Sequence, residues 1–497
     1  MTNSAPKFEL ETASNPQGLR RVAIDTLTRV EGHGKVTLLL DESGQVQQAR
    51  LHIVEFRGFE KFIQGRPYWE VPVMVQRLCG ICPVSHNLAA SKAMDQIVGV
   101  DQITPTAEGI RRLMHYAQIL QSHALHFFHL SLPDLLLGFE SDLEKRNILE
   151  VALKHPETAK QGILLRKFGQ EIIRMTTGKR IHGTGNVPGG VQKSLAIEDL
   201  NYLLKDIDSI ITWSSGAVEF AKTLFNSLPE NYKNFGEHVC GNMSIVSRKN
   251  NKNGEFDLYD GNLRITDSNG GIWADNIEPN DYADWISEQV KPWSYMKFPY
   301  LKKLGPENGW YRVGPLARVQ NCSFMPTELA EKQRKIFINS SVSKTRHQPL
   351  SFHWARMIEM LHAAEIIKEL LYNPAITSSK DLITSGTRRS EGVGIIEAPR
   401  GTLIHHYQVG EDDLVTKCNL IVSTTHNNQA MNESIRSVAK TYLNGQTLTE
   451  GLLNHIEVAI RAFDPCLSCA THALGKMPLQ IELQDVQGNL IHSLIRE

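Results

Sequence analysis

The sequence has 497 residues and a net charge of −1, with 41% apolar and 22% charged residues. That composition belongs to an ordinary globular protein with ample core material, and it excludes a collagen, a coiled coil, a small disulfide scaffold and a wholly disordered chain. Near-neutral charge argues against a nucleic-acid binder held by bulk electrostatics. No apolar run reaches the ~18 residues of a membrane span. The polar start of the chain lacks the apolar stretch of a secretory signal, which points to a cytoplasmic protein.

Residues 1–20 read as a flexible N-terminal arm. Residues 21–57 read as strands: Val36–Leu40 meets the turn Asp41-Glu42-Ser43-Gly44, and an alternating run through Val46, Leu51 and Ile53 follows. The period then changes. Thr104 can cap and Pro105 can open a helix whose Ile110, Leu113, Ala117, Leu120, Ala124 and Phe127 recur at three and four. A second helix over about 157–177 ends at Gly178 behind Lys167 and Arg174. Residues 240–325, rich in Gly, Asn and Asp with short alternations at Phe256, Leu258, Leu263 and Ile265, read as a β-rich insertion. A third helix runs from about Trp354 to Tyr372 and stops before Asn373-Pro374. Residues 473–497 are strand-like, with Leu479, Ile481 and Leu483 alternating.

Seven cysteines in a long chain without a signal fit a reducing compartment. Four form C-x-x-C pairs, Cys79/Cys82 and Cys466/Cys469, at opposite ends of the sequence. That separation is unlike the roughly 15–20 residues of a zinc ribbon, so a joint site must be assembled by the whole fold. Four converging thiolates suit zinc, iron–sulfur or nickel; two unrelated dithiols are the other reading. Only Cys240, Cys322 and Cys418 remain. An iron–sulfur cluster typically takes four ligands, so a redox centre here would pass electrons to a partner or a diffusible acceptor. The fold class expected is α+β: a predominantly helical core with N-terminal strands and the β-rich insertion, forming one catalytic domain over 21–472.

Several motifs are similar to those of the nickel–iron hydrogenase large subunit, most closely the cytoplasmic NAD-reducing type. They are RVEGHGKV at 29–36, RGFEKF at 57–62, RLCGICPVSH at 77–86, HALHFFHL at 123–130, IHGTGNVPGG at 181–190, EAPRGTL at 397–403 and DPCLSCATHALG at 464–475. The resemblance implies that Cys79 and Cys466 are terminal nickel ligands, and that Cys82 and Cys469 bridge nickel to an iron carrying carbon monoxide and cyanide. It implies a proton-accepting Glu31, partnered with Cys466, and an Arg400 suspended over the metals. A fixed guanidinium there polarises the pocket without titrating. Glu60, the Leu420 carbonyl and His472 resemble magnesium ligands, although imidazole is unusual for a hard cation. His86 would hydrogen-bond a bridging thiolate, and Ser423 and Thr424 would offer hydroxyls to the cyanides. His182 and Pro188-Gly189-Gly190 resemble the region facing a partner's cluster. The sequence departs from many relatives at Ser122, where an acidic residue is common, and around Leu420, where Ser423 and His426 replace a Pro and a Trp.

The resemblance thus implies reversible heterolytic cleavage of dihydrogen, with electrons leaving through a small iron–sulfur subunit to flavin/NAD diaphorase subunits. It also implies nickel-insertion proteins and a protease that removes 473–497 after His472. No G-x-G-x-x-G fingerprint on a strand–helix unit is present, so NAD would bind to partners. A hydrogenase using a deazaflavin carrier, a hydrogen sensor and a structural subunit of a redox complex are the competing readings.

Overall fold

A computed structural model describes residues 20–247, 254–341 and 345–471, together with the backbone of strands Leu479–Gln484 and Leu490–Arg496. Residues 1–19, nearly all of the expected N-terminal arm, lie outside the described residues. Alternating apolar side chains build a first antiparallel sheet from β1 (Arg20–Ile24), β2 (Gly34–Leu40) and β3 (Val46–Ile53). Asp41 closes the expected turn between β2 and β3 by accepting from the backbone N–H groups of Ser43 and Gln45 at 2.9 Å each. The chain continues through α1 (Phe59–Ile63) into α2 (Pro83–Ile97), α3 (Pro105–Leu125), α4 (Pro156–Thr177) and α5 (Ile207–Asn226).

The helix signals read from the sequence hold. The Thr104 hydroxyl caps α3 by accepting from the Ala107 N–H at 3.2 Å, and Gly178 takes the left-handed conformation that stops α4. The apolar periodicity continues past the end of α3 because residues His126–Ser131 form a π-helical turn. At Gly169 a Cβ would lie 2.6 Å from the Ala117 carbonyl, so only glycine lets α4 approach α3 this closely.

The expected β-rich insertion contains β4 (Gly241–Val246), β5 (Asn262–Thr266), β6 (Ile272–Ile277) and β7 (Tyr311–Arg312), in sheet order β7-β4-β5-β6 with β7 parallel to β4. Then come α6 (Pro315–Asn321), the central helix α7 (Ser351–Leu371), and an antiparallel meander of β8 (Glu391–Ala398), β9 (Gly401–Val409) and β10 (Val415–Ile421). Met243, Ile245 and Leu263 of the insertion share one apolar cluster with Val393, Ile395 and Ile404 of the meander. The meander was not foreseen. Its strands β8 and β9 are buried on both faces almost throughout, which removes the alternation by which a strand is read. The helices α8 (Asn428–Val438) and α9 (Glu450–Ala462) lead into the last described loop. Strands Leu479–Gln484 and Leu490–Arg496 pair as an antiparallel hairpin, in line with the strand-like tail. Among the described residues no helix is long and apolar enough to cross a membrane.

Much of the charge in this interior is paired. Arg318 of α6 donates to Glu359 of α7 through two nitrogens at 2.7 Å each and to Glu397 of β8 at 2.9 Å. Burial opposes the Glu359 carboxylate, but Arg318 and His123 outweigh it and hold its pKa down to about 2. Histidines are instead kept neutral. Burial holds His115, His238 and His426 down to about 3, and His123 and His362 to about 4.

Two predictions follow from this interior. Unfolded histidine binds its proton below about pH 6.5, so these residues cost nothing above that value and destabilise the fold increasingly as pH drops toward 4. One pH unit below 6.5 the five cost about 7 kcal/mol together, against a typical stability of about 5–15 kcal/mol. Melting temperature should fall far more steeply between pH 6.5 and 5 than between pH 8 and 6.5; a flat acid limb contradicts this. Glu359→Ala should destabilise by about 3–5 kcal/mol, because it leaves Arg318 buried without its main partner; denaturation at neutral pH measures it.

Candidate metal centre

The two cysteine pairs reach one point from opposite ends of the chain. Cys79 follows the turn Val75–Leu78, and its sulfur accepts from the N–H groups of Ile81 at 3.2 Å and Cys82 at 3.1 Å. Cys82 caps α2, whose first residue is Pro83. Cys466 and Cys469 lie in the loop after α9 and in the turn Ser468–Ala470. Cys79 and Cys466 sulfurs are 3.3 Å apart, Cys82 and Cys469 sulfurs 3.7 Å, and all four lie within 4.8 Å of one another. With metal–sulfur bonds of about 2.3 Å, sulfurs on opposite sides of a metal are about 4.6 Å apart, so this set has the size to hold a thiophilic metal. Burial pushes the Cys466 and Cys469 thiols well above the usual range, whereas the neighbouring side chains of Cys466, Cys469 and Cys79 hold Cys82 well below it. Four deprotonated sulfurs in so buried a place require a bound cation.

Glu31 is brought to this cluster by a short parallel bridge to Cys466, in which the Leu467 N–H donates to the Glu31 carbonyl at 2.9 Å. Its segment is anchored upstream, where the Thr28 N–H donates to Glu457 and Arg29 pairs with Asp134, both at 2.6 Å. The Cys466 thiol donates to Glu31 Oε2 at 2.9 Å, and the Ser468 hydroxyl donates to Glu31 Oε1. Gly32 makes the approach possible: its φ is +80°, and a Cβ would lie 2.5 Å from the Ser468 nitrogen.

Arg400 and Pro399 are the two turn residues between β8 and β9. Arg318 fixes that turn by donating to the carbonyls of Ala398 at 2.7 Å and Pro399 at 3.2 Å. Arg400 is 3% exposed and donates to Asp464 Oδ1 at 3.0 Å, while its Nε and Nη1 have no partner among the described residues. Burial opposes its charge, but Asp464 and the sulfurs of Cys466, Cys82 and Cys79 hold its pKa well above the ordinary value. Arg400, Cys82, Cys466, His86, Ser423 and Thr424 line a cavity of about 10 Å³, room for roughly one water-sized molecule.

Comparison with known proteins bears on what this assembly is. The family pattern described as nickel-dependent hydrogenase matches residues 57–139 and 249–472, and a HoxL-like pattern matches 21–56. The chain belongs to the nickel-dependent hydrogenase family. It is 45% identical over 491 residues to the NAD-reducing hydrogenase HoxS subunit beta of Cupriavidus necator, covering 96% of this chain and 100% of that one. It is 40% identical to one subunit of the vhc F420-non-reducing hydrogenase of Methanococcus voltae, covering 95% and 98%. A crystal structure of an NAD+-reducing [NiFe]-hydrogenase in the H2-reduced state matches with a TM-score of 0.89 and 57% identity, covering 91% and 99%. The chain is a hydrogenase, and its four cysteine sulfurs form a group able to hold metal.

The remaining expected residues of this hydrogenase are placed unevenly. Glu60 is buried and accepts from the Leu420 N–H at 2.8 Å; His472 lies outside the described residues. The Ser423 hydroxyl donates its hydrogen to the Gly401 carbonyl at 2.8 Å. Thr424 accepts from the Cys466 N–H at 2.9 Å, so its own hydrogen is the one left to donate. His86 Nδ1 meets His405 Nε2 at 3.1 Å. His182 donates to the Cys79 carbonyl at 3.1 Å and accepts from Arg77 at 2.9 Å. Ser122 is buried, and its hydroxyl has no partner among the described residues.

The sequence reading assigned no role to Asp464, Ser468, Arg318 or His405. Asp464 and Ser468 were within reach, since they flank Cys466 in DPCLSC. Arg318 sits in PLARVQN, which carries no signal of its own. Substituting Gly32→Ala should separate Glu31 from Cys466 and slow hydrogen–deuterium exchange about a hundredfold, the effect of a misplacement of roughly 1 Å, at unchanged metal content. Exchange at the full rate would show that this approach does not matter.

Proposed function

We propose that this chain is the catalytic subunit of a reversible nickel–iron hydrogenase, a single domain over 21–472 whose electrons pass through a small iron–sulfur subunit to flavin-bearing diaphorase subunits that reduce NAD+. The observation that carries this reading is the contact of Glu31 with the Cys466 thiol beside a fully buried four-sulfur cluster. Cys79, Cys82, Cys466 and Cys469 would hold nickel, and Cys82 and Cys469 would also hold an iron bearing carbon monoxide and cyanide. When bound, these metals bind dihydrogen and take the electron pair of its bond.

The protein's own groups handle the proton. Cys466 Sγ is the first stop, with Glu31 Oε2 at 2.9 Å. Glu31 Oε1 accepts from the Ser468 hydroxyl, which fixes the carboxylate so that Oε2 is the oxygen presented to the proton. Arg400 places a permanent cation against the cavity with two nitrogens that have no partner among the described residues, where it would steady the diatomic ligands; Thr424 would donate its hydroxyl to a cyanide, and Ser423 would take part through its oxygen. Glu60, the Leu420 carbonyl and His472 would hold magnesium.

Electron exit rests on the partners. Cys79, Cys82, Cys466 and Cys469 are the one metal-competent cluster found among the described residues, while Cys240, Cys322 and Cys418 are scattered and kept as thiols by burial. The contiguous stretch 54–73 exposes Val54, Phe56, Phe62, Trp69 and Val73, an apolar surface suited to a subunit interface. It lies close in sequence to Cys79, whose carbonyl is held by His182. Likeness to an NAD-reducing hydrogenase subunit supports NAD+ as the final acceptor. The archaeal relatives named as F420-non-reducing lend no support to a deazaflavin carrier. Cytoplasmic location, nickel-insertion proteins and removal of 473–497 after His472 complete the proposal.

The test is expression with native maturation proteins, followed by metal analysis and infrared spectroscopy. One nickel per chain, bands from iron-bound carbon monoxide and cyanide, and a mass ending at His472 are expected; zinc alone in the processed protein overturns the proposal. Turnover with an artificial dye separates enzyme from sensor. Glu31→Gln should keep the metals and lose about 10²–10⁴-fold in that turnover, the usual contribution of a positioned acid–base group.

A further inference from the structure

Strand β9 carries His405 and Tyr407 two residues apart, hence on one face, and that face meets His86 on α2. His86 Nδ1 lies 3.1 Å from His405 Nε2, and His405 Nδ1 lies 2.7 Å from the Tyr407 hydroxyl. All three residues are buried. His86 stands one helical turn beyond Cys82, and both line the cavity at the metal centre. The remaining ring nitrogen of His86, Nε2, is buried with no hydrogen-bond partner among the described residues.

The direction of these hydrogen bonds follows from the last group in the row. Burial, with Cys418 and Glu60 nearby, raises the Tyr407 pKa far above its ordinary value, so the phenol keeps its hydrogen. Its one hydrogen-bond partner among the described residues is His405 Nδ1. Unless the phenol donates to that nitrogen its buried hydrogen is left unsatisfied, so Nδ1 is the acceptor and the His405 hydrogen lies on Nε2. That N–H in turn donates to His86 Nδ1, which therefore carries no hydrogen itself, and the ring hydrogen of His86 is placed on Nε2.

We propose that Tyr407 and His405 are positioning residues that lock the tautomer of His86, so that its Nε2–H is presented as a fixed donor to the Cys82 sulfur. The neighbouring His406 has no part in this. It lies on the opposite face of β9, where it contacts Tyr282 and Glu391. A thiolate that accepts an N–H donates less charge to its metal, so the row sets the electron density at the centre without touching it. This inference rests on the proposed nickel–iron centre, because iron-bound carbon monoxide is its reporter.

The test uses the matured holoenzyme. Tyr407→Phe removes the donor that orders the row and should move the carbon monoxide band to lower wavenumber, or split it, at unchanged nickel content. His406→Gln on the other face should leave the band in place. Neutron diffraction of deuterium-exchanged crystals should find deuterium on Nε2 of both His405 and His86. A wild-type band position in Tyr407→Phe at full nickel content, or deuterium on Nδ1 of His86, overturns the inference. If Tyr407→Phe takes up no nickel, the diffraction result decides alone. A wild-type enzyme without any iron carbonyl band would instead overturn the proposed centre, and that outcome is recognisable before any variant is made.

Discussion

The structure depends on closing the two ends of the chain on one cluster of sulfurs. The N-terminal pair is presented by the start of α2 and the C-terminal pair by the loop behind α9, and neither pair alone encloses a metal. The closure is made by backbone as well as by side chains. The Leu467 N–H donates to the Glu31 carbonyl at 2.9 Å and the Arg57 N–H to the Thr471 carbonyl at 3.2 Å. Joining such distant segments costs loop-closure entropy, which the contiguous apolar core drawn from Leu27 to Ala470 offsets.

The same closure forces charge into the interior, and the fold meets it in two ways. Three of the buried arginines are kept charged by carboxylates: Arg400 with Asp464, Arg318 with Glu359 and Glu397, Arg111 with Asp95. Histidines are kept neutral and used for the direction of their hydrogen bonds. The cations are arranged in tiers around the centre. Arg400 faces the cavity, and Arg318 behind it holds the carbonyls of the turn that carries Arg400. A guanidinium suits both places because its donors are fixed in a plane and its charge survives burial.

Much of this was legible in the sequence where chemistry constrains spacing. The C-x-x-C pairs, the Thr104-Pro105 helix start and the Gly178 stop each have a local physical cause that survives into the fold. Glu31 and Arg400 were found through their motif surroundings, and the structure sets both against the cysteines. Other features have no local cause. The strands β8 and β9 are buried on two faces almost throughout and lose their alternation. Arg318, an ordinary residue in a short helix, acquires its role only when the β8–β9 turn arrives above it. The difference between Ser423 and Thr424 lies in which neighbour each hydroxyl meets, and no pattern of residues encodes that.

The order of the ligands along the chain has a consequence for synthesis. Cys79 and Cys82 leave the ribosome long before Cys466 and Cys469, at a pace of about 5–20 residues per second. For that interval the nascent chain displays half of a thiophilic site, and thiolate pairs take zinc or copper readily. Its protection lies in incompleteness: two sulfurs without their partners form an open, weak site. Metal commitment is therefore deferred until Cys466 and Cys469 have been made, so that only a chain carrying both pairs can retain its ion.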